Sequence, residues 1–315
     1  MRGARGIYRL HLATATLAFG LVALAAAFVV AGSDLSPPTG AEIARACGDW
    51  LGGGGPAALF TVFVLALAAA VPALTARSLL RQLLAGRQYL RGLPAGEPIV
   101  LGGLPCRVVE VSERAAFCAG YLRPSVYLSR GLLESLDEDE LGAVVAHERH
   151  HLSRRDPLRQ LVARALAEGL FFLPILGRTS KRYVDLGELA ADRAAVVALK
   201  DRRPLARALL KLSEHDPMAH AVAGVDPERV DYLLGDPEAN RWRLPGTAAG
   251  RSALAVAILA GLVAVSILVK PAPAPALLLG AGCMIAMFGG PLALGAAAIH
   301  ASRRARTAQH SLLSR

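Results

Sequence analysis

Charged side chains are missing from four long stretches of this 315-residue chain, at 12–31, 57–76, 252–269 and 276–299. A helix needs ~20 apolar residues to cross a bilayer, so these stretches exclude an ordinary soluble domain. The 54% hydrophobic content and a mean hydropathy of +0.41 agree. Cysteine is scarce too. Cys47, Cys106, Cys118 and Cys283 show no CxxC spacing, which excludes a disulfide framework and a thiolate metal site and leaves four small apolar residues. Internal repeats are missing, and low complexity is confined to Gly52–Gly55 and the Pro-rich 271–275, both read as connectors. No basic motif is interleaved with aromatics, so the net charge of +10 does not point to direct contact with nucleic acid.

The basic residues instead border the apolar stretches. Arg2, Arg5 and Arg9 precede the first, and Arg77, Arg81, Arg87 and Arg91 follow the second. Between those two lie Asp34, Glu42 and Asp49 with only Arg45, while Arg303, Arg304 and Arg306 follow the fourth. The positive-inside rule then puts both termini and the whole 77–251 region in the cytoplasm of a multi-pass cell-membrane protein, in contact with the lipid bilayer. The first apolar run is longer than the core of a signal peptide. The expected organisation is an N-terminal transmembrane hairpin at 1–76, a cytoplasmic domain at 77–251, a C-terminal hairpin at 252–299 and a basic tail at 300–315. A shorter apolar run, 161–176, is interrupted by Arg164 and Glu168, which are spaced to meet along a helix. It reads as a buried or membrane-grazing helix, with a true span as the alternative.

What the chain does have is His147-Glu148-Arg149-His150-His151. Residues four apart share a helical face, so His147 and His151 can grip one zinc ion while Glu148 faces the open coordination position as general base. Glu138, Asp139 and Glu140 load the helix start with negative charge, and Leu141, Val144, Val145 and Leu152 form its apolar stripe. His150 lies about 100° round the helix from His151 and faces away. A catalytic zinc needs a third protein ligand. Glu188 supplies it in Glu188-Leu189-Ala190-Ala191-Asp192, and Asp192 is placed to accept the free ring N–H of a ligand histidine, His147 first. The bland alternative for either carboxylate alone is a solvated helix face. The chemistry expected of this set is zinc-dependent peptide hydrolysis, with one Zn2+ per chain. His215, His220 and Arg229 are candidates for oxyanion or substrate contacts.

Between the second and third apolar stretches, short segments at 99–101, 107–111, 116–119 and 125–128 bounded by Gly and Pro predict a small antiparallel sheet. Helices are expected from 141, over 158–176, around Glu188 and over 204–213, which makes an α+β domain with the active helix packed on the sheet. A substrate backbone is held extended by strand addition, and 114–119 is the candidate edge strand, with an ordinary core strand as the alternative.

The run Ala116-Phe117-Cys118-Ala119-Gly120-Tyr121-Leu122-Arg123-Pro124-Ser125-Val126-Tyr127-Leu128-Ser129-Arg130-Gly131-Leu132-Leu133 leads through Asp139-Glu140-Leu141 into the histidine helix. Arg155-Asp156-Pro157-Leu158, Phe171-Phe172-Leu173-Pro174 and the Glu188 to Asp192 motif follow. In this order 97–235 resembles the membrane zinc peptidases of the antirepressor type, the protease half of the beta-lactam sensor-transducers. It is similar, more distantly, to the HtpX and CAAX prenyl protease group. The resemblance implies an α+β gluzincin-like zinc peptidase domain inserted between two transmembrane helical hairpins. It further implies His147, His151 and Glu188 as ligands, Glu148 as base, Asp192 behind a ligand, and a cytoplasmic protein or peptide substrate such as a transcriptional repressor. The short tail 301–315 departs from the sensor-transducer pattern, so no extracellular penicillin-binding sensor is expected. The expected function is regulator cleavage in signalling; the alternatives are HtpX-like quality control of membrane proteins and a non-catalytic transducer.

Overall fold

Two of the apolar runs fold into helices that overrun them. In the computed structural model, which describes residues 2–33, 39, 41, 55–213, 227–234 and 246–268, helix α1 spans Arg2–Gly32 and helix α2 spans Gly55–Gly92 with Pro72 inside it. Among the described residues three helices are long and apolar enough to cross a membrane: α1, α2 and a later one at Gly246–Leu268. Leu17, Leu24, Phe28, Phe63, Leu254 and Ile258 point outward on them, as suits a hydrocarbon solvent. The hydroxyls of Thr61 and Ser266 donate back to carbonyls four residues earlier, at 2.8 and 2.7 Å, which satisfies these two groups within their own helices. The expected fourth span, 276–299, lies outside the described residues.

The chain divides into two compact units. One comprises Gly20–Ala69 and Ile258–Arg315; in it Ala25, Val29 and Val64 pack together, with Phe60, Leu65 and Val263 around them. The other comprises Met1–Phe19 and Ala70–Ala257 and contains the sheet. Its strands are β1 (Ala95–Leu101), β2 (Leu104–Val109), β3 (Ala116–Ala119) and β4 (Ser125–Ser129). Gly102 and Gly103 both take positive φ, 54° and 76°, which gives β1 and β2 the tight hairpin turn that matches strand twist.

The sheet is mixed rather than antiparallel throughout. Its order is β1-β2-β4-β3, and β2 pairs with β4 in parallel. The reason lies in burial: β4 carries Val126 and Leu128, both fully buried, so it takes the interior position and pushes β3 to the outer edge. Alternation of polar and apolar residues records faces, not neighbours, so the order is invisible to it. Among the described residues β3 pairs with β4 alone, as an edge strand.

Among the described residues six further helices lie wholly within this unit: α3 (Arg130–Ser135), α4 (Glu138–Arg154), α5 (Asp156–Gly169), α6 (Pro174–Leu199), α7 (Arg203–Ser213) and α8 (Pro227–Leu234). Val144 and Val145 of α4 pack on Leu104, Cys106, Val126 and Leu128 of the sheet. Ala143, on the other flank of α4, packs against Ala195 of α6 and Leu205 of α7. The expected single helix over 158–176 is two: the first ends at Gly169, where the lack of a Cβ lets Thr75 of α2 approach, and Pro174 opens the second. Glu168 pairs with Arg81 of α2 in place of the expected helical partner Arg164.

Candidate metal centre

Helix α4 begins with a reciprocal cap. The Asp137 side chain accepts from Glu140 N at 2.8 Å, and Asp137 N donates to the Glu140 carboxylate at 3.0 Å, which satisfies two orphan donors at once. Glu140 is buried, and Lys211 Nζ of α7 at 2.6 Å balances its charge. With that start fixed and one face against the sheet, the other face presents His147, Glu148 and His151, all buried.

Glu188 of α6 comes to meet them. His147 Nε2 and His151 Nε2 stand 3.2 Å apart, and the Glu188 carboxylate oxygens lie 3.5 and 3.4 Å from them. Zinc bonds of about 2.0–2.1 Å in a tetrahedron separate the donor atoms by about 3.3–3.4 Å, so this trio fits the ion. All three donors fall within 4.8 Å of one another. His150 is not part of the group.

Behind each histidine sits a carboxylate. His147 Nδ1 lies 2.9 Å from Asp192 Oδ1, and His151 Nδ1 lies 2.9 Å from Asp156 Oδ2. Asp192 is held in turn by Arg229 of α8, which donates through Nε at 2.7 Å and a terminal nitrogen at 2.8 Å. The third guanidinium nitrogen stands 3.3 Å from Glu188. Asp156 accepts at 2.8 Å from the hydroxyl of Tyr183.

The electrostatics of this cluster favour positive charge. Burial alone would push the His147 imidazole down, but Asp192 and Glu188 outweigh it and hold its pKa up at about 10. Glu188 shows the converse: burial raises it, yet His147, His151 and Arg229 bring it down to about 2. Asp192 is likewise held below the usual range, by His147 and Arg229 against its burial. A divalent cation suits the same lone pairs and the same field. Glu148 behaves differently. Burial dominates there and lifts its carboxyl above the ordinary range, which makes it a stronger base.

The donors open into a cleft of about 980 Å³ whose walls include Gln82, Leu83, Gly86 and Tyr89 of α2 and Phe117 and Cys118 of β3. The Cys118 thiol is pushed up to about 12, first by burial and then by Glu148, so it is no thiolate ligand at neutral pH. Cys106 is fully buried; Cys47 and Cys283 lie outside the described residues.

Of the residues singled out in the sequence, His147, Glu148, His151, Glu188, Asp192 and Arg229 come together here. Arg229 contacts Asp192 and Glu188. His215 and His220 lie outside the described residues. Sequence reasoning missed Asp156 and Tyr183 as members of the cluster. A signal for Asp156 was present in Arg155-Asp156-Pro157, a carboxylate two residues past the end of α4 and followed by a proline.

Comparison with known proteins covers the same ground. Residues 114–229 match the BlaR1 peptidase M56 family. The matched segment runs from just before β3 to Arg229 and contains the whole cluster. The relatives are proteases of a neighbouring kind. A "Protease HtpX homolog" of Salinibacter ruber is 32% identical over 121 residues, 30% of this chain and 44% of the relative. Another, of Acaryochloris marina, is 28% identical over 170 residues, covering 43% and 57%. One from a Nostoc species is 47% identical over 49 residues, covering 16% and 17%. The chain therefore spans less than two thirds of the length of each of these relatives. No solved structure matches. Segment 114–229 is thus similar to M56 and HtpX peptidases, and the described residues include three helices apolar and long enough to cross a membrane.

Proposed function

We propose that this protein is an integral-membrane zinc endopeptidase that cuts a protein substrate at the cytoplasmic face of the membrane. The observation that carries the reading is the spacing of the His147, His151 and Glu188 donors beside a buried Glu148, at the head of a cleft bordered by an edge strand. Zinc, when bound, supplies Lewis acidity and acidifies water at the site. Glu148 takes the proton from the attacking water and passes it to the leaving amine; its burial favours that transfer. Asp192 and Asp156 fix the rings of His147 and His151 so that each Nε2 faces the donor set. Arg229 is a positioning residue in this reading, which leaves His215 and His220 as candidates for the oxyanion. Strand β3 holds the substrate backbone extended along its free edge.

Cytoplasmic placement of 77–251 and of both termini rests on the arginines that border the apolar runs. A reporter fused within 34–49 tests it, because activity there of a reporter that works only in the cytoplasm overturns the orientation. For the biological role we favour cleavage of a cytoplasmic regulator, such as a repressor, on the M56 match. The curated relatives favour a second reading, quality control of membrane proteins, since each is named an HtpX homolog.

The decisive experiment is zinc content with proteolysis in the purified full chain. Wild type should hold about one zinc per chain, and His151→Ala and Glu188→Ala should hold none. Glu148→Gln should keep the metal while cleavage falls by about 10²–10⁴-fold. Undiminished cleavage by Glu148→Gln, or a wild type that takes up no zinc while folded, sinks the enzyme reading and brings the transducer forward.

A further inference from the structure

The lower turns of α1 form a seam with α6. Ala4, Ile7 and Tyr8 pack around Tyr183 and Leu186, and the rings of Tyr8 and Tyr183 lie 4.9 Å apart. One turn further along α1, His11 Nδ1 stands 2.8 Å from Thr179 Oγ1, both residues being buried. Contacts step down α6 as they step up α1, so the helices are antiparallel here and the seam covers two turns of each. Helix α6 is the element that carries Glu188 and Asp192, which lie one to three turns beyond Tyr183.

Tyr183 also faces the metal centre. It is 2% exposed, and its hydroxyl donates to Asp156 Oδ1 at 2.8 Å while Asp156 Oδ2 holds His151 Nδ1 at 2.9 Å. Phenylalanine would serve the packing against Tyr8 equally well, so the hydroxyl matters for Asp156. A carboxylate bonded on one oxygen alone can swing about a soft terminal torsion. Bonded on both, it fixes the plane of the imidazole it holds, and with that plane the direction of the Nε2 lone pair.

From this geometry we infer that Tyr183 is a positioning residue for His151, acting through Asp156, and that α1, by seating Tyr8 on the Tyr183 ring, makes the first membrane helix a structural part of the metal centre. The inference rests on the zinc reading above. It means that a shift of α1 alters how tightly the metal is held.

The test uses the full chain in detergent and reads zinc affinity by chelator competition, with the visible absorption spectrum of the cobalt-substituted protein alongside. Tyr183→Phe keeps the ring contact, so folding is not at stake. It should weaken zinc binding about tenfold and shift the cobalt spectrum, with the helix content of the metal-free protein unchanged. Asp156→Asn should reproduce both changes. Tyr8→Leu should weaken binding by a smaller factor in the wild type and by nothing further in the Tyr183→Phe background, since both act along one line of contacts. Wild-type affinity and spectrum in Tyr183→Phe overturn the positioning role and leave the zinc site standing. Wild-type affinity in Tyr8→Leu overturns the part assigned to α1. A wild type that binds neither zinc nor cobalt removes the zinc reading and this inference together.

Discussion

The two histidines of the cluster are held alike at the first contact and differently behind it. Each has its Nδ1 2.9 Å from a carboxylate oxygen of a buried aspartate. Asp192 sits four residues after Glu188 on one helix and is backed by a cation, Arg229, on two nitrogens. Asp156 belongs to a separate helix, arrives through a turn, and is backed by a neutral hydroxyl. The first support is a buried network of charge, costly to break at any member. The second is a hydrogen-bonded tether whose loss leaves little uncompensated charge.

That difference orders the expected effects of substitution. Asp192→Ala should be the most damaging, because it leaves the buried Arg229 guanidinium with Glu188 as its remaining ion-pair partner and His147 without its aspartate; breaking a buried pair from one side costs about 3–5 kcal/mol. Denaturant unfolding of the metal-free protein measures it, and a loss under 1 kcal/mol would mean that the pair behaves like a surface one. Arg229→Gln should cost less stability, since Asp192 keeps His147. Zinc affinity in that variant should fall about 10–100-fold, read by chelator competition. Asp156→Asn should fall at the lower end of the same range, with almost unchanged stability. An equal stability loss in Asp156→Asn and Asp192→Ala would erase the distinction between the two supports.

The smallest effect is of opposite sign. Arg155 takes φ 53° and ψ 43° at the turn that ends α4 and starts α5. Left-handed backbone costs a residue with a Cβ about 1–2 kcal/mol, so Arg155→Gly should raise the unfolding temperature by a few degrees, as about 1 kcal/mol does in a domain of this size. A fall in its place would show that the arginine side chain contributes to the fold.

The same contrast explains what was legible in the sequence. His147, His151, Glu188 and Asp192 are pairs four apart on helices, and helical spacing is a rule that needs no tertiary information. Asp156 meets His151 only because Arg155 turns left-handed, and nothing in the spacing of Asp156 to His151, five residues, announces a contact. Tyr183 reads as one more residue of an amphipathic helix until α5 and α1 are placed beside it. The run 12–31 was legible as apolar and membrane-spanning, yet the docking surface of α1 lies mostly ahead of it, at Ala4, Ile7, Tyr8 and His11. Segments 107–111 and 125–128 were visible as strands, but their parallel pairing follows from which strand buries Val126 and Leu128. The need for glycine at 169 comes from the approach of Thr75, nearly a hundred residues earlier.

The outer edge of β3 has a further consequence. An exposed strand edge is a template on which other chains can aggregate. Here Tyr89 of α2 lies against Phe117 at 5.8 Å between ring centres, Tyr121 donates its hydroxyl to Gln82 O at 3.1 Å, and Gly86 leaves room for that approach. These contacts stand α2 beside the edge strand and its following turn, one of the ways in which an exposed edge is covered. The wall that frames the cleft thus also blunts the edge as a template for aggregation between copies of the chain.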